Sequence, residues 1–463
     1  MTPRSGLDRL DPAAETGCMT PLWPHQKQAL AFANGKPAVM LAMAMRTGKS
    51  RVTVELLSHR HAQRVLVLCP KSAINVWPDQ FQRYSNGTEY PVLTLKDMPM
   101  KQRLACAQDF LGRKGRGVVV INHDAIWRKP FADWALAQHW DALVADESHR
   151  LKSPSGVASR FVAKLGQNIE TRLGLTGTPF HHTPLDIYGQ YRILDRRIFG
   201  TNYNNFKHRY GVWVPMGYTG VEILRGLQNE DELYQKFYSI AFRVGPEVLN
   251  IPEPLHMTRT CDLSPAGKRV YRDLEKDFYA QVDAGEITVA NAMVKGLRLQ
   301  QATSGFGKVE TGEEVQIDTA KQELLADLLE DTDEPVVVFC RFRHDLDVVH
   351  TVAHSLKKAS LELSGRVDNL AAWQAGEAPI LAVQIQAGGA GVDLSRAKIA
   401  VYYSLGLSLG DHEQSQARMQ AKDQTHTIAY YYLLADGTVD RKVYNALQSR
   451  KDVIQALLNR GGA

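Results

Sequence analysis

Cysteine is scarce, with five in 463 residues, at positions 18, 69, 106, 261 and 340. No two form a Cys-x-x-Cys pair, so neither a zinc site nor a disulfide framework is indicated, and a reducing cytoplasm is expected. Long apolar runs are missing too; nothing approaches the roughly 18–20 residues that a membrane span needs. The opening Met1-Thr-Pro-Arg-Ser-Gly-Leu-Asp-Arg9 has no apolar stretch of the kind a secretory signal carries. There is no internal repeat and no low-complexity segment. Charge of one sign hardly dominates, at 55 Lys and Arg against 50 Asp and Glu. That balance permits contact with a polyanion without announcing it. No carboxylate cluster stands outside the segments described below, which leaves a nuclease unsupported.

What is there is an alternation of short β-rich runs with longer amphipathic stretches, the pattern of parallel sheets flanked by helices. Candidate strands are Ala38–Ala42, Val65–Cys69, Gly117–Ile121, Ala142–Ala145 and Arg172–Thr176. A second set comprises Pro335–Cys340, Pro379–Gln384, Ile399–Tyr403 and Ile428–Leu434. Between the sets, Asp231–Arg243 and Ser264–Ala284 look helical, and the polar stretch 307–318 reads as a connector or hairpin. The organisation expected is a tail over 1–19, a first lobe over 20–200, a mostly helical insertion over 201–318 and a second lobe over 319–463.

Two segments carry the chemistry. Ala38–Ala42 leads through Met45, Arg46 and Thr47 into Gly48-Lys49-Ser50, ahead of a helix-like stretch. Free N–H groups and the helix dipole converge at such a junction. Gly48 lets the backbone close around phosphate oxygens, Lys49 reaches the β/γ-phosphates and the Ser50 hydroxyl suits Mg²⁺. Met43 stands where the leading glycine of Gly-x-x-x-x-Gly-Lys-Ser belongs, so the plain alternative is a surface turn ending in lysine. About a hundred residues on, Asp146-Glu147-Ser148-His149 follows an apolar run. Asp146 suits Mg²⁺ and Glu147 the attacking water. An acidic pair after a strand is ordinarily a solvated turn; its combination with the upstream loop points instead to ATP hydrolysis. Thr176-Gly-Thr178-Pro179 adds two hydroxyls at another strand end, placed to relay between nucleotide and a second substrate.

In this order the segments resemble superfamily 2 helicase-type motors, and among them the Swi/Snf-type translocases on double-stranded DNA. The resemblance covers nearly all of residues 20–455. Leu22-Trp-Pro-His-Gln26 resembles the adenine-reading segment, and Cys69-Pro-Lys-Ser-Ala-Ile-Asn-Val-Trp77 the strand-contacting motif after the second strand. Gly388-Gly-Ala-Gly-Val-Asp393, Leu297–Phe306 and Gly437-Thr-Val-Asp440 follow the group as well, and the Met45–Lys49 loop is similar to compact phage and bacterial members. The resemblance implies an α/β chain of two RecA-like parallel-sheet lobes with a mostly helical insertion between them, using ATP and Mg²⁺. Nucleotide contacts carried over are Gln26, Arg46, Thr47, Gly48, Lys49, Ser50, His149, Gly391, Asp393 and Gln414. Arg46 either sits beside phosphate or faces solvent, and His149 would couple the nucleotide to Thr176 and Thr178. Metal contacts are Ser50 and Asp146. Nucleic-acid contacts are Lys71, Ser72, Thr176, Gly388 and Gly389, gripping phosphates without reading bases. Lys207, His208 and Arg209 either extend that track or form a solvated helix face.

One departure is large. The family's last motif carries two arginines three apart, whereas Gln414-Ser-Gln-Ala-Arg418-Met-Gln-Ala421-Lys422-Asp423-Gln424 keeps Arg418 and has Ala421 in the second place. An arginine finger is worth about 10³–10⁵ in rate. Arg418 is therefore expected to join Lys49, Asp146 and Glu147 in catalysis, and Lys422, a point charge without the planar fork, is the poorer substitute. The leading expectation is a monomeric DNA-dependent ATPase that tracks along duplex DNA in a bacterial or phage-infected cytoplasm. A strand-separating helicase, with RNA still open as its substrate, is one alternative. An ATP-switched DNA-binding protein with little hydrolysis is the other.

Overall fold

The computed structural model describes residues 21–85, 90–180, 183–215, 222–283, 289–308, 313–385 and 392–459. The tail 1–19 and the expected contacts Gly388, Gly389 and Gly391 lie outside them. The chain divides into two compact units, one running to Val248 and the other starting at Leu249. Each is built on a wholly parallel sheet, so the two α/β lobes expected from the alternating pattern are present. Among the described residues no helix is long and apolar enough to cross a membrane.

The first unit's strands are β1 (Ala38–Met43), β2 (Arg64–Cys69), β3 (Val92–Thr94), β4 (Gly117–Asn122), β5 (Ala142–Asp146) and β6 (Thr171–Thr176). A separate antiparallel hairpin, β7 (Gly211–Pro215) with β8 (Glu222–Leu227), precedes β9 (Ala241–Val244). The sheet order is β3-β4-β2-β5-β6-β1-β9. Continuous apolar runs such as Ala-Val-Met-Leu-Ala-Met in β1 suit strands covered on both faces, and every β1 residue is buried. One face carries α1 (Pro24–Ala33), α2 (Lys49–His59) and α3 (Trp77–Tyr84), whose Leu30, Val52, Leu56, Trp77 and Phe81 share a core with Val39, Leu41, Val65 and Val67. Leu66, Leu68, Val119, Ile121 and Leu143 face the opposite core, around Phe131 and Trp140.

That strand order places the site. β6 pairs with β1 on one side and β5 on the other, in registers Ala42↔Thr176 and Asp146↔Leu175. The turns after β1, β5 and β6, which carry the three chemical segments, therefore open together at the carboxyl edge. Ligands of open α/β sheets bind at that edge.

The second unit holds β10 (Leu255–Cys261), β13 (Val336–Cys340), β14 (Ser360–Leu363), β15 (Ile380–Gln384), β16 (Ile399–Tyr402) and β17 (Ala429–Ala435), in the order β10-β17-β16-β13-β15-β14. Its small antiparallel pair, β11 (Phe306–Lys308) with β12 (Glu314–Gln316), gives 307–318 the hairpin form among the two foreseen for it. The helices Ala320–Glu330 and Arg343–Ser355 cover the sheet through Leu325, Leu329, Leu346 and Val349.

The stretch 201–318 differs from the helical insertion expected of it. It does contain helices, at Tyr203–Tyr210, Glu230–Tyr238, Pro265–Asp283 and Val289–Thr303, but it also feeds both sheets. The helix expected over Asp231–Arg243 stops at Tyr238; Ala241–Val244 then pairs with β1, and the Phe242 ring meets that of Phe32 at 5.6 Å. β10 runs beside β17 over seven residues, Leu255↔Ala429 to Cys261↔Ala435. Both strands are edges, half-polar and open on one side, and so lack the apolar run that marks a central strand.

Candidate nucleotide site

The loop after β1 is shaped by its backbone. Gly48 has φ 88°, in the left-handed region, and starts α2 as its N-cap. A Cβ there would lie 2.1 Å from the Gln26 amide nitrogen. The torsion is what favours glycine, and a side chain there would also displace the Gln26 amide. The missing leading glycine is explained by position: Met43 is still inside β1, paired with Val244 and fully buried, so no turn is asked of it.

α1 holds this loop in place. Gln26 accepts from the Trp23 N–H at 3.0 Å and donates to the Thr47 carbonyl at 3.2 Å, and His25 Nε2 meets the same carbonyl at 2.8 Å. Thr47 Oγ1 donates to the Ala44 carbonyl at 2.7 Å. Lys49 turns its ammonium inward, donating to the carbonyls of Met43 and Ala44 at 2.9 and 3.1 Å. Arg46, at φ 62°, and Ser50 are both half-buried on the same turn.

Opposite, β5 delivers Asp146, and Glu147 takes φ 49° and ψ 52°. A left-handed non-glycine residue costs on the order of 1–3 kcal/mol and persists only where its surroundings impose it. Asp146 Oδ1 accepts from the Glu147 N–H at 3.0 Å. Burial, then the Glu147 charge, pushes the Asp146 carboxyl up to about 7 against the pull of Lys49. Burial likewise pushes the Lys49 ammonium down, while Glu147 and Asp146 pull it up. With Asp146 and Lys49 both pushed toward their neutral forms by burial, two carboxyl groups share one pocket that a divalent cation would let ionise fully. The residues present therefore fit Mg²⁺, with Asp146 and Ser50 as its holders.

From Glu147 a polar chain runs inward. His149 Nδ1 is 3.3 Å from Glu147 Oε2 and 3.1 Å from Thr176 Oγ1, which also accepts the Thr178 N–H at 3.0 Å. His149, Thr176 and Thr178, expected to be coupled, are thus brought together. The expectation that Thr176 touches nucleic acid is corrected: it has no exposed surface and its hydroxyl is engaged within this chain. Sequence reasoning missed the residues that brace the site. Gln190, buried, accepts from Ser148 Oγ at 2.8 Å and donates to the Pro179 carbonyl at 2.9 Å, joining the turns after β5 and β6. His123 sits at the same edge, its ring pushed down to about 3 by burial and then by Arg150 and His149. A single Gln or His carries no spacing signal that could have revealed either.

Lys71 and Ser72 lie exposed on the 3₁₀ turn Lys71–Val76, directly before α3. Lys71 forms an exposed ion pair with Asp97. Lys207 and Arg209 are engaged by acids, Glu222 and Glu232, each at 2.5 Å. Their charge is neutralised locally, which favours the solvated-face reading over an extended phosphate track.

In the second unit, Arg418 is buried near the end of the helix Leu409–Met419, and Gln414 is half-buried one turn earlier. The Arg418 carbonyl accepts from Leu394 N at 2.9 Å, fixing the helix end to the strand-following segment of Asp393. Asp393 is exposed and closes a turn on Ser395, accepting from its N–H at 2.9 Å and its hydroxyl at 2.7 Å. Ala421 N donates to Gln424 Oε1 at 3.0 Å, and Lys422 lies 3.5 Å from the Asp423 carboxylate beside it.

Residues 25–305 match the family model described as the SNF2-related domain. Over 447 residues the chain is 22% identical to the mouse protein named chromodomain-helicase-DNA-binding protein 1-like, covering 91% of this chain and 48% of that one. It is 23% identical over 467 residues to the mouse DNA annealing helicase and endonuclease ZRANB3, covering 95% and 41%. The chain thus spans under half the length of these curated relatives. Among solved structures, the Sulfolobus solfataricus SWI2/SNF2 ATPase core in complex with dsDNA is similar at a TM-score of 0.45 and 17% identity, over 96% of this chain and 94% of that one.

Proposed function

Because the chain belongs to the SNF2-related domain family, we propose that it is a nucleic-acid-dependent ATP hydrolase that moves along duplex DNA. The observation that carries the reading is the buried meeting of Lys49, Asp146 and Glu147 at the ends of β1 and β5. Phosphate oxygens replace the Met43 and Ala44 carbonyls on the Lys49 ammonium, and the backbone around Gly48 closes on them. Glu147 holds the attacking water and takes its proton; His149, between Glu147 and Thr176, keeps that carboxylate in place. Mg²⁺, when bound through Asp146 and Ser50, neutralises the β/γ-phosphate charge.

Gln26 receives the adenine edge and, through its bond to Thr47, reports occupancy to the loop. Arg418 serves the γ-phosphate, with Gln414 and Asp393 as further nucleotide contacts. Lys422 is the weaker candidate because it lies against Asp423. Lys71 and Ser72 take DNA phosphates. Helicase and DNA binding in the relatives' names support DNA as the polymer.

The test is ATP turnover with no nucleic acid, single-stranded DNA, duplex DNA, branched DNA and RNA, beside Glu147→Gln. Duplex DNA is expected to stimulate most, and Glu147→Gln to lower turnover roughly 10²–10⁴-fold while still binding ATP. Stimulation by RNA or single strands alone would overturn the duplex assignment. A second reading, an ATP-switched DNA-binding protein, is favoured by Ala421 in the place of a second arginine. ATP binding without turnover at saturating duplex would select it.

A further inference from the structure

The turns after β5 and β6 are joined by two bridges. The outer one is the polar chain through His149, which ends on Thr176. The inner one is a single neutral side chain. Gln190, only 1% exposed, stands on the helix Ile187–Leu194 and uses both ends of its amide. Its oxygen accepts from Ser148 Oγ at 2.8 Å, and its nitrogen donates to the carbonyls of Pro179 at 2.9 Å and Asp186 at 3.1 Å. Carbonyl oxygens only accept, so the amide has one workable orientation here. The helix has no slack of its own. Gly189 lies so near the 3₁₀ turn Ser148–Leu151 that a Cβ would collide with the Leu151 and Lys152 carbonyls. Lys152 Nζ, at the end of that turn, is 3.6 Å from the Asp186 carboxylate. Ser148 Oγ also lies 3.7 Å from Met40 Sδ, on β1.

Gln190 therefore fixes the residue that directly follows Glu147. Glu147 is left-handed, a conformation that a non-glycine residue keeps only where its surroundings impose it. Ahead of that strained residue the chain is held by β5; behind it, Ser148 is held by Gln190. We propose that Gln190 is a positioning residue for hydrolysis. Through Ser148 it keeps Glu147 in the left-handed conformation that aims its carboxylate at the attacking water, and through the Pro179 carbonyl it keeps the turn after β6 in step. The inference rests on the ATPase reading above and adds the residue that sets its water-holding carboxylate. Gln190 is buried behind both turns, so its loss reaches the reaction only through them. Phosphates are gripped by another turn, the one after β1, whereas Glu147 acts on the water alone. The loss therefore falls on kcat and spares ATP binding.

The experiment compares wild type, Gln190→Met, Ser148→Ala and the double variant. Methionine keeps the length and bulk of glutamine and removes the amide. Each protein is measured for its unfolding midpoint, its affinity for a fluorescent ATP analogue with Mg²⁺, and its kcat at saturating duplex DNA per folded molecule. Gln190→Met is expected to lower kcat about tenfold, the size of one buried hydrogen bond, with affinity within about twofold of wild type. Ser148→Ala should lower kcat in the wild-type background and add less than about twofold on top of Gln190→Met, because both remove the same link. A bridge that serves stability alone lowers the midpoint and leaves kcat per folded molecule unchanged. That result, losses that multiply in the double variant, or an equal fall in affinity overturns the inference while leaving the ATPase reading intact. Should Gln190→Met fail to fold, Ser148→Ala decides alone, since it leaves both carbonyl bonds of Gln190 in place; an unchanged kcat then overturns the inference. A wild type without ATP turnover overturns the ATPase reading itself, and the role of Gln190 falls with it.

Discussion

The two units share an architecture and use their buried charges differently. In the first, Lys49, Asp146, Glu147 and His149 converge at one sheet edge, where burial pushes the Lys49 ammonium down and the Asp146 carboxyl up, and Glu147 is left-handed. In the second, a buried ion pair is bonded into the frame. Lys321 meets Asp440 at 2.6 Å with both side chains almost fully buried, and Asp440 also accepts from Thr303 Oγ1 at 2.8 Å and Ala435 N at 3.2 Å. Asp345, without exposure, accepts from Ser404 Oγ and from Phe342 N. One fold thus holds a cluster of facing charges at a sheet edge in one unit and a bonded, buried ion pair in the other, and only the site's chemistry tells them apart.

The sharpest way to break the comparison is to remove the arginine of the second unit proposed to serve the γ-phosphate. Arg418→Ala should lower duplex-stimulated turnover about 10³–10⁵-fold, or roughly 4–7 kcal/mol of barrier, with ATP affinity changed far less. Stimulated turnover within a few-fold of wild type would move Arg418 into the structural class. Next comes the buried pair. Lys321→Met leaves Asp440 buried and uncompensated, and should cost about 3–5 kcal/mol of stability in denaturant unfolding. An unfolding midpoint close to wild type would show the pair to be solvated.

Asp345 gives a pH test of the second unit. Burial raises its carboxyl from 3.8 to about 6, against the bonds from Ser404 and Phe342. A raised folded-state value means that its stabilising share is complete below pH 3.8 and lost as pH climbs through about 6, by roughly 3 kcal/mol. Stability measured from pH 4 to 7 should therefore fall in wild type and fall less in Asp345→Asn. Equal slopes would contradict this. The smallest effect belongs to the surface. Asp97→Asn frees the Lys71 ammonium and should raise duplex affinity by roughly twofold to fivefold at low salt, and by nothing at high salt. A gain that persists at high salt would point to another cause.

What the sequence made legible follows the same physics. Central strands were plain because both their faces are buried; Ala38–Ala42 and Pro335–Cys340 correspond to β1 and β13 within a residue. The four strands of the two parallel sheets that it did not reveal, β3, β9, β10 and β14, are their four edges. β3, β9 and β14 are only three or four residues long, and β10, though seven long, mixes polar residues with apolar ones and is mostly exposed, so no buried apolar run marks any of them. The site divides along a similar line. Gly48, Lys49, Asp146 and Glu147 could be read because spacing and flanking strands constrain them. His123 and Gln190 could not, since their role depends on which strand ends lie side by side, and only the order β2-β5-β6-β1 supplies that. Thr176 shows the converse: a residue read for contact with nucleic acid turned out to be an interior bridge to His149.

If the turn after β1 cradles a triphosphate through Lys49, removing that ammonium must weaken nucleotide binding. Equilibrium binding of a fluorescent ATP analogue with Mg²⁺ to wild type and to Lys49→Ala tests it without requiring turnover. At least a tenfold loss of affinity in the variant, about 1.4 kcal/mol or more, is predicted. Equal affinity in a folded Lys49→Ala protein would contradict the claim.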